Sequence, residues 1–297
     1  MIHPGELAVQ QRAGIVGDAR GSARLNAVIP PVAMDFLANQ RMLVLGAADD
    51  RGAMWAGLVT GPAGFVTAPD ERTVRINMLP AEADPLRPLL GNGTAIGAIA
   101  VEPQTRRRMR VNGHVEIVDG CLVIRTDQVF SNCPKYIQSR HPLDAAATPP
   151  PHRVATGREL SGSAQRWIGS ADTFFVATGT HEHGLDVSHR GGNPGFVSVA
   201  GPRRLTWPDY AGNTMYLTLG NLDLNPSCGL LFLDWTTGAA LHLAGRARTD
   251  WDPVRTAAMP GAQRLVEFDI DAVLEVRDAS TVRWAFDEYH RFNPPVA

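Results

Sequence analysis

Two stretches of this chain repeat one another at a nearly constant offset. Gly61-Pro62-Ala63-Gly64-Phe65-Val66 returns as Gly192-Asn193-Pro194-Gly195-Phe196-Val197, 131 residues later. Gly97 and Gly113 return as Gly229 and Gly245, 132 residues later. In each copy an apolar strand, a polar turn and a second strand connect the two glycines. A repeat this long means two similar units, and 297 residues hold two domains of about 100–150 each. Duplication alone explains the repeat. A sharper reading is that each half replaces one subunit of a homodimer.

The units read as mainly β. Arg41–Gly46, Ala95–Val101, Thr173–Ala177, Met215–Leu219, Gly229–Asp234 and Arg264–Ile270 are short, rich in Val, Ile, Leu and Phe, and bounded by Gly, Pro and Asp. The 29 glycines and 22 prolines supply turns. Met215–Leu219 is ambiguous, because Asn213 after Gly212 also fits a helix cap. Two helices are predicted. Pro31–Asn39 carries Val32, Phe36 and Leu37, and Gly162–Ala171 follows a cap at Ser161 with Trp167 and Ile168 on one face. The predicted organisation is an extension over 1–34, a first unit over 35–140, a Pro-rich linker over 141–162 around Pro149-Pro150-Pro151, and a second unit over 163–297.

Composition removes several classes. The net charge of −2 gives no pull toward nucleic acid or membrane. No apolar run approaches the roughly 20 residues that span a bilayer. The first residues lack the basic start and apolar stretch of a secretory signal. Cys121, Cys133 and Cys228 lie far apart, which argues against a disulfide framework and fits a reducing cytoplasm. His181-Glu182-His183 lacks further metal ligands at suitable spacing and reads as a turn, so no metal is expected. Strand alternation splits Arg106-Arg107-Arg108 and Arg110 between two faces, which weakens a nucleic-acid reading. No nucleotide-binding glycine loop and no nucleophile elbow occurs.

The halves differ where they should match. Ser188, His189 and Arg190 of the second copy align with Gly57, Leu58 and Val59 of the first. Ser and Arg in a glycine-flanked strand suit a phosphate, since Arg offers a planar fork of donors. A solvated strand face accounts for the same residues. Pro208–Asn213 and the following Thr218 and Asn221 have no counterpart between Asn77 and Asn92, and a helix start at Asn213 would favour an anion. Two anion-friendly features in one half predict one site rather than two. Lys135 is the only lysine among 28 basic residues.

The second half resembles the FMN-binding split β-barrel family related to pyridoxamine 5′-phosphate oxidase. The residues that carry this are DVSHRGGNPGFV (186–197), PDYAGN (208–213), TLGNLDLNP (218–226) and GLLFLDWTTGAALHLAGRA (229–247). The first half resembles a diverged member through GPAGFV (61–66), RRRMRVNG (106–113) and FSNCPKYIQ (130–138). The resemblance implies two split β-barrel units with short helices, arranged as an intramolecular pseudo-dimer with FMN between them. It places Ser188, His189 and Arg190 near the FMN phosphate and ribityl chain, with Asn213, Thr218 and Asn221 on the segment closing over it. Asn132–Gln138 becomes the first half's contribution, with Lys135 facing the phosphate or the reduced flavin and Tyr136 stacking or hydrogen bonding. A surface turn with Tyr136 in the core is the plainer reading. Cys133 is expected to be buried and inert, or else a thiol activated by Lys135.

The function implied is an FMN-dependent oxidoreductase acting on a small molecule or redox partner. The catalytic residues remain unassigned. A non-catalytic flavin carrier or sensor is the contrasting class, and deazaflavin or heme are alternative ligands of the same cleft. Pyridoxamine phosphate oxidation itself would need a second anion site. Neither nucleic acid nor membrane is expected as a partner, and the assembly is expected to be a monomeric pseudo-dimer or a higher homo-oligomer.

Overall fold

The computed structural model describes residues 3–15, 26–131, 133–143 and 148–296. Asn132 therefore lies outside the described residues, as does 144–147 of the expected linker. Among the described residues no helix is long and apolar enough to cross a membrane.

The first unit contains β1 (Met42–Ala48), β2 (Met54–Thr60), β3 (Val66–Asp70), β4 (Thr73–Ile76), β5 (Ala95–Glu102), β6 (Arg107–Val118) and β7 (Cys121–Ser131). Its sheet order is β2-β1-β5-β6-β7-β4-β3. Two strands follow in the segment predicted as a linker, β8 (Ser139–Leu143) and β9 (His152–Gly157). The second unit contains β10 (Thr173–Thr180), β11 (Gly184–Gly191), β12 (Ser198–Gly201), β13 (Arg204–Tyr210), β14 (Ser227–Leu233), β15 (Ala240–Asp250) and β16 (Ala262–Arg277). Its order, β11-β10-β14-β15-β16-β13-β12, copies the first strand for strand. Both copies also carry a bulge at the same place, between Asn112 and Gly113 in β6 and between Ala244 and Gly245 in β15. These are two split-barrel units.

The connecting segment corrects the linker expectation. β9 adds to the long strand β16, pairing Gly157 with Val273. β8 pairs with β17 (Arg283–Glu288), so the end of the second unit clasps the end of the first. Proline at 149–151 punctuates the passage between these strands but does not prevent pairing on either side.

Helices sit where the caps place them. α1 (Pro4–Arg12) opens with proline, and α2 (Pro31–Ala38) does too. α2 buries Phe36 and Leu37, but Val32 is exposed. In α3 (Gly162–Ser170) the Ser161 hydroxyl accepts from Ala164 N, as its sequence predicts, and Ile168 is buried. α4 (Leu217–Leu224) replaces the ambiguous strand at 215–219. α5 (Pro253–Ala257) is a short surface turn capped by Asp252. α1 lies on α4 at backbone contact: a Cβ on Gly5 would stand 2.1 Å from the Gly220 carbonyl oxygen. The N-terminal extension is thus shared, with α1 packing on the second unit and Ile29 lying in the core of the first.

Three large apolar cores result among the described residues. One fills the first barrel around Leu45, Ile76 and Ile124, and another fills the second around Phe174, Trp207 and Phe232. The third lies between them and draws on both: Val44, Leu58 and Ile99 from the first, Phe175, Val187 and Leu231 from the second. Strand alternation makes this possible, because Phe174 faces its own barrel and Phe175 faces the other.

The closest approach is between backbones. A Cβ on Gly97 would lie 2.8 Å from Asp186 Cα, and one on Gly229 would lie 2.8 Å from Trp55 Cα. Asp186 and Trp55 are themselves partners in the 131-residue repeat, so the contacts are pseudo-twofold mates. Gly97→Ala should therefore destabilise by about 1–3 kcal/mol through overpacking. Gly169→Ala, at a helical position with open space around it, should be neutral or gain up to about 1 kcal/mol. Thermal unfolding of both variants checks this; an unchanged midpoint for Gly97→Ala would contradict the close crossing.

Candidate functional site

The crossing at Gly97 brings β6 of the first unit against β11 of the second. Arg110 on β6 donates from Nη1 to Asp186 Oδ2 at 2.6 Å and to the Ser188 hydroxyl at 2.8 Å. Ser188 donates to Asp186 Oδ2 at 2.9 Å and accepts from the Thr218 hydroxyl of α4 at 2.9 Å. All four side chains are buried. A serine hydroxyl has one proton and two lone pairs, and here all three are engaged. Ser188 and Thr218 therefore tie β6, β11 and α4 together and have no proton left to donate outward. Glu6 of α1 backs this cluster, its carboxyl pushed up to about 7 by burial and by the nearby Asp186 charge.

Next to this closed network stand two guanidiniums with a different character. Arg108 comes from β6 and Arg190 from β11, and both line one cleft. Neither has a carboxylate within ion-pair distance among the described residues. Arg108 Nη1 lies 3.2 Å from His189 Nδ1. Arginine can only donate, so His189 must accept, as a neutral imidazole. Burial, then the Arg108 and Arg190 charges, hold the His189 pKa well below its ordinary value, in agreement. Arg108 Nε is buried and has no partner. Burial followed by the Arg110 and Arg190 charges pushes Arg108 down to about 9. Arg190 donates to its neighbour's carbonyl, His189 O, at 3.1 Å. The acids nearby are committed elsewhere: Asp209 pairs with Arg264 at 3.3 Å and Asp186 with Arg110 at 2.6 Å.

Alternation along β11 separates the expected trio. Ser188 and Arg190 share one face, and His189 leaves the other, edge-on to Phe175 at 5.8 Å. All three still reach the cleft, because β11 is the edge strand of its sheet.

The cleft holds about 880 Å³ of empty space, part of it open to solvent. Its remaining walls come from both units. Lys135 and Tyr136 cross over from the end of the first unit, and the Tyr136 hydroxyl donates to Ala211 O at 3.0 Å. The Tyr136 ring packs on Tyr210 at 5.2 Å, so it is neither a surface residue nor a core one. Cys133 also lines the cleft and is half-buried rather than buried. Opposite lies the turn before α4, where Thr214 and Tyr216 take left-handed conformations, φ 58° and 59°.

That turn revises two expectations. Asn213 lines the cleft but does not cap the helix, which begins four residues later; its Oδ1 accepts from Met215 N instead. Asn221 points away from the cleft. Its amide donates to Thr178, and its Oδ1 accepts from His3 Nε2 at 2.9 Å, which fastens α1. His181–His183 form the β10–β11 turn, and among the described residues no cluster could hold a metal.

The equivalent place in the first unit is closed. Asp84 Oδ2 accepts from Leu58 N at 2.9 Å, and a Cβ on Gly57 would collide with Asp84 and Leu86. Arg190 is matched there by the buried Val59, Arg108 by the buried Ala240, and Arg110 by His242, whose Nδ1 is bonded to Ala56 O at 2.8 Å.

Arg108, Arg110, Asp209 and Tyr210 are site residues that the motif reading leaves out. The signal was present: the 132-residue offset sets Arg108 and Arg110 against Ala240 and His242, the same kind of mismatch that singles out Ser188–Arg190.

No family model and no curated protein matches the chain. Solved structures do, each over about one barrel unit. A candidate pyridoxamine 5′-phosphate oxidase from Lactobacillus delbrueckii is 16% identical, with a TM-score of 0.33, over 39% of this chain and 94% of its own. An FAD-binding protein from Mesorhizobium loti is 13% identical, with a TM-score of 0.29, over 41% and 98%. An FMN-binding protein from Syntrophomonas wolfei is 10% identical, with a TM-score of 0.28, over 37% and 82%. These structural neighbours are pyridoxamine 5′-phosphate oxidase-like flavin-binding proteins with the split-barrel fold, each covering about one barrel unit of this chain.

Proposed function

We propose that the cleft between the two units binds FMN and that the protein is a flavin-dependent oxidoreductase. One observation carries the ligand reading. Two half-buried guanidiniums, one from each unit, converge with no ion-paired carboxylate among the described residues, and one of them retains a buried, unpartnered Nε. Such a pair is costly unless an anion satisfies it, and a phosphate monoester matches the planar fork of arginine. The residues present therefore fit the phosphate end of FMN. The motif resemblance in 186–197 supports the same ligand.

The chain's own residues divide the work. Arg108 and Arg190 would hold the phosphate. Neutral His189 accepts from Arg108 and fixes its direction. The Arg110–Asp186–Ser188–Thr218 network keeps the two units and α4 in register. Tyr136, Tyr210 and Met215 line the rest of the cleft, and Lys135 offers a positive charge at its edge. Bound flavin supplies the redox chemistry itself; the protein positions it and shapes the pocket.

Arg108→Ala and Arg190→Ala should each remove a charge-assisted contact of about 1.5–3 kcal/mol, lowering FMN affinity roughly 10- to 100-fold. Riboflavin, which lacks the phosphate, should bind either variant about as it binds the parent. Titration of both ligands decides it, and equal losses for the two ligands would remove the phosphate from this position. Flavin released by heat should amount to one per chain, since Asp84 and Leu86 fill the equivalent place; two tightly held flavins would refute that. For turnover, anaerobic mixing of the flavin-loaded protein with NADH or NADPH should bleach the flavin absorbance, and an acceptor should restore it. A flavin that no such donor reduces would make the protein a carrier or sensor.

A further inference from the structure

Beyond the half-buried pair Arg108 and Arg190, a second group of cations lacks acidic partners among the described residues. Lys135 Nζ stands 5.7 Å from the centroid of Phe292, and the Arg291 guanidinium stands 4.8 Å from the same ring. Neither forms an ion pair among the described residues. Arg106, close by, does: its guanidinium meets Glu288 at 2.6 Å. Two cations gathered on one ring, with no carboxylate, repel each other. Their effect is felt at His290, whose pKa is lowered first by burial and then by Arg106, Arg291, Lys135 and Arg108.

This rim is fixed relative to the cleft. Gln138 Oε1 accepts from His290 N at 2.8 Å and from Asn293 Nδ2 at 2.9 Å. The other end of the same amide donates to Tyr136 O at 3.0 Å. One side chain therefore bolts the C-terminal segment to the segment carrying Lys135 and Tyr136. Lys135 belongs to both places, lining the cleft and facing Phe292. Phe292 is 49% exposed, so a flat ring can reach it from solvent.

We propose that Lys135, Arg291 and Phe292 form an outer subsite, at the cleft mouth, for a flat ring that carries phosphate, the chemistry of a nicotinamide dinucleotide. The aromatic face offers stacking, and the two cations offer charge to the phosphates. The subsite rests on the flavin reading for its role, as the place where the flavin's reaction partner docks. Its existence is testable apart from flavin.

The experiment titrates the full chain, with and without FMN, using oxidised NADP⁺, which reacts with neither form. Nicotinamide tests the ring alone and inorganic pyrophosphate tests the charge alone. NADP⁺ should bind more tightly than either fragment. Arg291→Ala and Phe292→Leu should each weaken NADP⁺ about five- to tenfold, as expected for one lost contact, with Arg291→Lys recovering part of the loss. Both variants should bind FMN as the parent does, since neither position lines the cleft; circular dichroism confirms that they fold. Failure of FMN to bind, with NADP⁺ still sensitive to Arg291, would sink the flavin reading and leave the subsite standing. NADP⁺ affinity that ignores both substitutions, or that pyrophosphate alone matches, would overturn the subsite.

Discussion

The crossing of two backbones at Gly97 and Gly229 sets the geometry from which the rest follows. Any side chain at either position would meet main-chain atoms of the opposite unit, which cannot move without moving a strand. The strands beside the contact are then placed with little freedom. β6 neighbours β5 in its sheet, so Arg108 and Arg110 arrive at β11; β15 neighbours β14, so Ala240 and His242 arrive at β2. A shared apolar core surrounds both crossings and binds the units into one body. Burial of apolar area supplies the stability, and the glycines determine where it is applied.

The same crossing, made twice, has two outcomes. On one side the facing residues are arginines, a serine and a histidine. On the other they are Val59, Leu58 and Ala240, with Asp84 and Leu86 folded into the gap. Two identical subunits could not divide in this way, because every substitution would appear at both places. Fusing the halves frees one interface to be well packed while the other keeps buried charge. Unpaired guanidiniums lower stability, so the closed side offsets part of what the open side loses.

Much of this arrangement is legible in the residues, for a physical reason. The glycines at 97, 113, 229 and 245 mark places where backbone geometry excludes every side chain, so the repeat survives there when the surrounding residues have changed. The Ser161 cap reads directly because it is a local bond to Ala164 N. Long-range pairings are less legible. Nothing in Pro149–Pro151 tells that β9 will join β16, and α1 has no amphipathic stripe to announce that Gly5 meets Gly220. The Met215–Leu219 segment is apolar and fits a strand; the left-handed turns at Thr214 and Tyr216 make it a helix. Asn213 and Asn221 look equivalent in sequence, yet one faces the cleft and the other is tied to His3 and Thr178. Spacing along a chain says nothing about which partner a buried amide will find.

Arg108 and Arg110 show how two identical side chains on one strand acquire different roles. Alternation puts both on the face turned toward the second unit. Arg110 meets Asp186 and Ser188, and its charge is balanced within a network that joins three elements. Arg108, two residues nearer the open end, bonds among the described residues to the neutral ring of His189 alone. The hydroxyls of Ser188 and Thr218 line the cleft, but their protons are spent within the balanced network. They hold the frame that keeps Arg108 and Arg190 together against their mutual repulsion. The polar residues of this site thus fall into a satisfied set that fixes position and an unsatisfied set that is left to meet an anion. The boundary between the two sets runs between alternate residues of the same strands, Arg110 and Arg108 on β6 and Ser188 and Arg190 on β11.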